Sequence, residues 1–309
     1  MAQNYSVLTK SDTLSIDSRI FESIRKVIIT KFKGVIEDDK PNCIIYLDAH
    51  WLNETILLAA DDLILAKEIP ESVLVGIIPE NREKELTEKD YLSKFITEEL
   101  IPYLSKEYSI SSNITIAFYS FGGYFATHLF LQKNDIFNSC IAISPTYWPN
   151  NCEILELMER KSKDKSISGN LYLAIGDRRW VEVSVRDFVF KAKTILEKDN
   201  NIRFKFNDLE GFSHSSTPTV GFGLGLGFIF DEWEWGNILE EQNEYLRVYP
   251  RSWGHLELKG DALWHMRRKI EAREFYDKAL SNLSEDQELS VEKEVEIRER
   301  LEEKIKNCH

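Results

Sequence analysis

Short, mostly apolar runs recur through the first two thirds of the chain, and they constrain its fold more than any other feature. Runs of four to six such residues are typical of strands buried on both faces of a sheet. Helix-forming stretches separate them, so the pattern predicts a mainly parallel sheet with helices on both faces. The predicted inner strands are CIIYL (43–47), VLVGII (73–78), ITIAF (114–118), CIAI (140–143) and LYLAI (171–175).

Other segments complete the predicted sheet and its helices. Residues 13–33 alternate between apolar and polar side chains, which predicts one or two antiparallel strands, and residues 202–206 predict a further strand. Apolar residues at helical spacing predict an amphipathic helix over residues 91–106. Residues 187–197 are also predicted to be helical.

The chain changes character after Gly227, where an aromatic and acidic stretch begins. Residues 256–280 predict an amphipathic helix pair that resembles a single tetratricopeptide-like repeat, and residues 284–306 predict a charged helix. One such repeat cannot bury its own faces, so it should dock on the main domain, on a second copy of the chain or on a protein partner. We therefore predict an α/β domain over residues 1–240 and a helical extension over residues 241–309.

The charge balance limits the classes of partner. Lys and Arg number 39 against 52 Asp and Glu, which gives a net charge of −13. Such a chain repels phosphate backbones and anionic membrane surfaces, so neither nucleic acid nor a membrane is expected as a partner. No apolar run approaches the roughly 20 residues that span a bilayer, and the polar N-terminal residues do not resemble a signal peptide. These features predict a cytoplasmic protein.

The cysteines give no sign of a metal site or a disulfide framework. None falls in a C-x-x-C pair, and no cluster of Cys and His has the spacing of zinc ligands. We therefore expect neither a metal site nor a disulfide framework. The four cysteines are Cys43, Cys140, Cys152 and Cys308.

A serine follows the run ITIAF in what resembles a nucleophile elbow between a strand and a helix. A side chain two positions after such a serine would clash, so glycine is required there, and Gly122 meets this requirement for Ser120. Phe118 stands where the G-x-S-x-G pattern has its first glycine, and it should crowd the turn unless the strand or helix shifts. A strand-turn-helix joint with an incidental serine has the same residues, so the assignment depends on the partners of Ser120.

Candidate partners for Ser120 follow at the ends of later strands. Asp177 comes just after LYLAI, and His214 lies in the loop after the last predicted strand. Ser, acid, His is the chain order of the α/β-hydrolase triad, in which His activates the serine and a carboxylate orients the His. The carboxyl ends of parallel strands meet at one edge of the sheet, so these side chains should converge. We favour Asp177 as the acid, and Glu182 and Asp187 remain alternatives.

An oxyanion hole would complete this site with two backbone N–H groups. One should come from Phe121, immediately after the candidate nucleophile. The other should come from Ala49 or His50 in residues 48–53, which we predict to be a loop at the end of the first inner strand. His50 could equally be an ordinary surface residue.

Several motifs occur in an order that is specific as a set. They are CIIYLDAH (43–50), VLVGIIPENREKELTE (73–88), FITEELIPYL (95–104), YSFGGYFA (119–126) and GFSHSSTP (211–218). Over most of residues 13–230 they resemble the esterase D and enterobactin (siderophore) esterase-like group of α/β-hydrolases. The resemblance implies an α/β-hydrolase fold and hydrolysis of an ester or thioester through an acyl-enzyme on Ser120, without metal or organic cofactor. Substrates of that group range from siderophore lactones to S-formylglutathione and sugar esters, and some members transfer acyl groups.

The resemblance and the aromatic content also suggest residues that contact the substrate. Arg82, in a predicted polar loop over residues 79–88, corresponds to the Arg of the group's V-G-I…R stretch and would either attract an anionic substrate or form a structural ion pair. Aromatic residues near the predicted rim suggest an apolar or ring-bearing acyl group, although core aromatics would give the same pattern. These candidates are Trp51, Tyr119, Trp148 and Trp180.

Three functions remain open at this stage. The favoured one is a serine esterase or thioesterase that acts on a small-molecule substrate. An acyltransferase would use the same triad with an alcohol or amine in place of water. A weakened hydrolase fold that serves as a binding module is suggested by Phe118 and by the helical extension.

Overall fold

The computed structural model describes residues 8–32, 40–179, 181–284 and 289–308. Its strands are β1 (Leu8–Ser18), β2 (Ser23–Phe32), β3 (Asn42–Leu47), β4 (Ser72–Ile78), β5 (Ile114–Tyr119), β6 (Ser139–Ile143), β7 (Asn170–Gly176) and β8 (Arg203–Leu209). Its helices are α1 (Ala49–Leu65), α2 (Arg82–Thr87), α3 (Lys89–Lys94), α4 (Ile101–Glu107), α5 (Phe121–Gln132), α6 (Pro149–Lys163), α7 (Glu182–Leu196), α8 (Thr217–Val248), α9 (Trp253–His265), α10 (Lys269–Leu283) and α11 (Val291–Asn307).

The strands form one eight-stranded sheet in the order β1-β2-β4-β3-β5-β6-β7-β8. The pairs β1–β2 and β2–β4 are antiparallel, and the pairs from β4–β3 to β7–β8 are parallel. The inner strands β3, β5 and β6 are buried almost throughout, as their continuous apolar runs predict. The predicted mainly parallel sheet and the antiparallel N-terminal strands are therefore confirmed.

Two segments predicted to be loops form helices instead. Residues 48–53 were expected to be a loop, but Asp48 has a φ of 62°, which turns the chain within one residue, and α1 begins at Ala49. Residues 79–88 contain α2, whose first turn is capped by the Asn81 side chain. A six-residue helix is too short to show a clear apolar period, which is why the polar composition of this segment suggested a loop.

The predicted amphipathic helix over residues 91–106 is confirmed with one irregularity. Helices α3 and α4 are joined by a π-helical segment, Phe95–Leu100, so the helical region runs from Lys89 to Glu107. The side chains of Phe95, Ile96 and Leu100 in this segment are fully buried against the sheet.

Phe118 belongs to the hydrophobic core and leaves the elbow turn free. Its side chain has no exposed surface and stacks on Phe125 with ring centroids 5.9 Å apart. A Cβ placed on Gly122 would lie 3.4 Å from Phe118 Cβ, an ordinary contact distance. The tighter position is Gly123, where a Cβ would lie 3.0 Å from Pro145 Cβ. Space for a side chain is therefore tighter at Gly123 than at Gly122, and the expected crowding by Phe118 does not occur.

The chain forms two compact units, Met1–Ile229 and Phe230–His309. The division falls within α8, whereas the sequence analysis predicted it after residue 240. In the second unit, α9 and α10 are the predicted helix pair, and the comparison with a tetratricopeptide repeat stays a prediction. Apolar side chains of α9, α10 and α11 form a separate core: Leu256, Leu263, Ala272, Tyr276, Ala279, Leu283, Ile297 and Leu301.

A further finding concerns membrane insertion. Within the described ranges, no helix is both long and apolar enough to cross a membrane.

Shortening Phe118 tests whether it supports the core. Phe118→Ala should lower the free energy of unfolding by about 3–5 kcal/mol, because it removes a fully buried ring and leaves a cavity. Phe118→Leu, which keeps much of the volume, should cost clearly less. Chemical denaturation measures both, and an alanine variant as stable as the wild-type protein would contradict the assignment of Phe118 to the core.

Candidate active site

Ser120 occupies a strained turn between β5 and α5. Its φ of 58° and ψ of −125° lie in a region that non-glycine residues rarely adopt. The backbone N–H of Ser120 donates to the carbonyl of Ile143 at 2.8 Å, which continues the β5–β6 ladder into the turn. The turn therefore holds the serine side chain at the carboxyl edge of the sheet, where it is half-buried.

His214 reaches this serine from the loop between β8 and α8. Its Nε2 lies 2.9 Å from Ser120 Oγ, within hydrogen-bond distance. His214 opens a short 3₁₀ turn that is capped by reciprocal hydrogen bonds between Ser213 and Ser216. The carbonyl of His214 also accepts hydrogen bonds from Tyr119 Oη at 3.1 Å and from Thr217 Oγ1 at 2.8 Å. These contacts fix the backbone of His214 and so limit the positions that its imidazole can take.

Glu182 is the carboxylate that faces His214. It is the first residue of α7, its side chain is completely buried, and its Oε2 lies 3.4 Å from His214 Nδ1. Neither of these two buried atoms has a hydrogen-bond partner among the described residues. The distance is longer than that of a closed hydrogen bond.

Asp177, the acid that the sequence analysis favoured, is bound elsewhere. Its carboxylate pairs with Arg179 at 2.6 Å and accepts the N–H of Gly211 at 2.9 Å. The hydrogen bond from Arg179 and then that from Gly211 lower the pKa of Asp177. Asp187, the other alternative, pairs with Arg178 at the surface. The structure therefore brings Glu182, rather than Asp177, to His214.

A close approach of two backbones explains this arrangement. A Cβ on Gly176, the last residue of β7, would lie 2.4 Å from the carbonyl oxygen of Phe212 in the histidine loop. The next N–H, that of Asp177, donates to the same carbonyl at 2.7 Å. Asp177 is thus held on the outer side of this junction, while Glu182 accepts the N–H of Gly176 at 3.1 Å from the inner side.

The candidate oxyanion donors lie at two helix N-termini. Phe121 begins α5, and Ala49 and His50 begin α1, whose preceding strand β3 lies next to β5 in the sheet. The first N–H groups of a helix have no partner within it and carry the positive end of its dipole. Asp48 supplies the turn that starts α1 so close to the strand end.

Arg82 forms a structural ion pair. Its Nε lies 2.8 Å from both carboxylate oxygens of the buried Asp48, and its Nη2 lies 3.5 Å from the carbonyl oxygen of Tyr119. Burial raises the pKa of Asp48, and the charge of Arg82 acts against this rise. Arg82 thereby links the turn before α1 to the strand that carries Ser120.

The predicted substrate-binding aromatics take different positions. Trp51, 47% exposed, lies edge-on against Tyr119 at 5.5 Å, and the Tyr119 ring lies 4.9 Å from the His214 imidazole. Trp148, 53% exposed, lines a cavity of about 240 Å³ together with Phe121. Trp180 lies outside the described residues.

A polar cluster beside this cavity was not found from the sequence. Lys89 Nζ donates to Tyr124 Oη at 2.9 Å and to the carboxylate of Glu153, which also accepts from Tyr124 and from Asn150. Burial alone would raise the pKa of Glu153, but these hydrogen bonds outweigh it and lower the pKa to about 2. The members are far apart in sequence and follow no motif, so no pattern could have grouped them.

Metal chemistry has no evident site here. In the part of the chain that the structure describes, no group of three His, Cys, Asp or Glu side chains is placed to hold a metal ion.

The family comparison agrees with this geometry. Residues 21–208 match the model of a family described as "Putative esterase", which is more than half of the chain. The chain belongs to this esterase family. It is accordingly an esterase enzyme, and the family resemblance predicted from its motifs is confirmed. By sequence, the esterase matches no curated protein.

Solved structures share the fold of the esterase. An IroE-like serine hydrolase from Shewanella oneidensis has a TM-score of 0.68 at 15% identity, over 87% of this chain and 99% of that one. An uncharacterised protein from Capnocytophaga ochracea has a TM-score of 0.64 at 14% identity, over 96% and 99%. Siderophore hydrolase EstB from Aspergillus nidulans has a TM-score of 0.62 at 18% identity, over 72% and 96%. At these identities the likeness concerns the fold, which is that of the α/β-hydrolases.

The polar cluster predicts a pH-dependent contribution to the stability of the esterase. Glu153→Gln should lower the free energy of unfolding at neutral pH by less than about 1 kcal/mol, because the carboxylate is partly exposed. The pKa of Glu153 in the folded protein, about 2, is below its ordinary value of 4.5, so the contribution is complete above pH 4.5. It should shrink as the pH falls from 4.5 towards 2.

Denaturant titrations down to the lowest pH at which the protein folds would measure this difference. Glu156→Gln, an exposed change on the same helix, is the matched control and should stay within about 0.5 kcal/mol of the wild-type protein. A Glu153→Gln deficit that is equal at pH 7 and below pH 4 would contradict the ionic origin of the contribution.

Proposed function

We propose that the protein is a serine esterase or thioesterase that forms an acyl-enzyme on Ser120. In this proposal His214 is the general base and acid, and Glu182 is the carboxylate that orients it. The observation that carries the proposal is the continuous contact from Ser120 Oγ to His214 Nε2, at 2.9 Å, and from His214 Nδ1 to Glu182 Oε2, at 3.4 Å. A hydroxyl, an imidazole and a buried carboxylate in this order constitute an activated nucleophile.

The reaction would proceed in two steps. Ser120 Oγ attacks the carbonyl carbon of the ester while its proton passes to His214 Nε2. The tetrahedral intermediate collapses when His214 returns this proton to the leaving alcohol or thiol, and the acyl group stays on Ser120. Water, deprotonated by His214, then attacks the acyl-enzyme, releases the acid and restores the serine.

The oxyanion would be bound by backbone N–H groups at two helix N-termini. Phe121 would supply one N–H, and Ala49 or His50 would supply the other. Helices α1 and α5 begin just after the adjacent strands β3 and β5, and this arrangement supports the assignment. Aligned donors at a developing negative charge are among the largest contributions to such catalysis.

The rim suggests the type of acyl group. Trp51 packs on Tyr119, which contacts His214. Trp148 lines a cavity with Phe121, the residue after Ser120. Both tryptophan rings are exposed, so we propose an apolar or ring-bearing acyl group as the preferred substrate. Water is the proposed acceptor, since the family is one of esterases. A cytoplasmic location and a protein partner or second copy bound by the C-terminal helices stay predictions from the sequence.

Three carboxamide variants distinguish the proposed acid from its alternatives. Glu182→Gln should lower kcat on the order of 10⁴-fold, because the imidazole would lose the group that selects its tautomer and stabilises its charged form. Asp177→Asn and the exposed Asp187→Asn should each keep kcat within about tenfold, because both carboxylates pair with arginines away from His214. Initial rates with p-nitrophenyl esters would measure this, and a larger loss in Asp177→Asn than in Glu182→Gln would reject Glu182 as the acid.

Labelling with a fluorophosphonate probe tests the function itself. The wild-type protein should be labelled, whereas Ser120→Ala and His214→Ala should not, because the probe reacts with a serine that a base activates. Circular dichroism would confirm that each variant is folded. Folded wild-type protein that resists the probe would contradict the proposal that His214 activates Ser120.

A further inference from the structure

Ser144 has a contact with Glu182 that no sequence motif indicates. It is the residue that follows β6, and its side chain is completely buried. Its Oγ donates to Glu182 Oε1 at 2.5 Å and lies 2.8 Å from Thr217 Oγ1. Strand β6 contributes no member of the proposed triad, yet the serine that follows it contacts the proposed acid directly.

The bond from Ser144 determines which oxygen of Glu182 faces the histidine. Oε1 accepts from Ser144 Oγ and from the N–H of Gly176. Oε2 is left without a hydrogen-bond partner among the described residues and faces His214 Nδ1. A carboxylate held through one oxygen in this way cannot rotate without breaking a buried hydrogen bond.

Thr217 extends the same contact to the backbone of the base. Its Oγ1 lies 2.8 Å from the carbonyl oxygen of His214 and 2.8 Å from Ser144 Oγ. Ser144 Oγ donates its proton to Glu182 Oε1, and Thr217 Oγ1 donates its proton to the carbonyl of His214. Two buried hydroxyls therefore connect the side chain of the acid to the main chain of the base.

We propose that Ser144 and Thr217 are positioning residues that hold the Glu182 carboxylate and the His214 imidazole in the relative orientation that catalysis requires. The inference rests on the proposed function, because it takes Glu182 to be the triad acid. Neither hydroxyl touches the substrate or the reacting atoms. Their effect is exerted through the orientation of the carboxylate and the imidazole.

The kinetic consequence is specific. Ser144→Ala keeps the Cβ and removes the hydroxyl, and it should lower kcat by about 10- to 100-fold, the cost of a misplaced catalytic group, with KM changed by less than about twofold. Thr217→Val keeps the shape of the side chain without its hydroxyl and should lower kcat in the same direction. Thr217→Ser keeps a hydroxyl at this position and should leave kcat near the wild-type value.

A double-mutant cycle separates positioning from a general structural role. If Ser144 acts through Glu182, Ser144→Ala should lower kcat by less than about threefold in a Glu182→Gln background, because the group it orients is already disabled. p-Nitrophenyl acetate is the substrate, and thermal unfolding monitors the fold of each variant. Should Ser144→Ala fail to fold, Thr217→Val and Thr217→Ser decide by the same comparison in that background.

The outcomes distinguish this inference from the proposed function. A full loss in Glu182→Gln with wild-type kcat in both Ser144→Ala and Thr217→Val would overturn the positioning role alone. An equal loss from Ser144→Ala in the wild-type and Glu182→Gln backgrounds would also overturn it. Wild-type kcat in Glu182→Gln would overturn the assignment of the acid and the positioning role together.

Discussion

Three neighbouring strands of the sheet each end in a non-glycine residue at positive φ, and the active site depends on these three turns. Asp48 follows β3 at 62°, Ser120 follows β5 at 58° and Ser144 follows β6 at 43°. Such conformations cost on the order of 1–3 kcal/mol each and persist only where surrounding contacts fix them. Each side chain here has such a contact, Asp48 with Arg82, Ser120 with His214 and Ser144 with Glu182.

The turns place Ser120 and two helix N-termini at the edge of the sheet without long loops. Because the chain changes direction within one residue at Asp48 and at Ser120, α1 and α5 begin immediately after the adjacent strands β3 and β5. The nucleophile and the candidate oxyanion donors are therefore properties of backbone geometry. Side chains from more distant segments, His214 and Glu182, then complete the site.

Burial makes the acid sensitive to its hydrogen bonds. A carboxylate with no exposed surface is costly unless it is paired and hydrogen-bonded. Glu182 accepts hydrogen bonds from Ser144 and Gly176 through Oε1, while its Oε2 faces His214 Nδ1 at 3.4 Å. In the proposed reaction, the same low-polarity environment would strengthen its interaction with an imidazole that gains a proton.

The sequence predicted the sheet, the serine and the histidine, because continuous apolar runs locate buried strands and a tight turn leaves a recognisable glycine pattern. It favoured Asp177 as the partner of His214 and kept Glu182, which the structure places there, only as an alternative. Asp177 has the expected position after β7, but a close approach of backbones at Gly176 directs it outward to Arg179. The predicted helix began at Asp187, whereas α7 begins at Glu182, and this one additional turn of helix carries the carboxylate to His214. Contacts between segments distant in sequence determine the direction of Asp177 and the position of Glu182, and no local pattern encodes these contacts.

The most direct test of this account is the proton NMR signal of the His214 Nδ1–H group. A proton held between an imidazole and a buried carboxylate resonates far downfield, and the account predicts such a signal in the wild-type protein and in Asp177→Asn. The signal should disappear in Glu182→Gln and in His214→Ala. A downfield signal that survives in Glu182→Gln and disappears in Asp177→Asn would contradict the central claim that Glu182 orients the catalytic histidine.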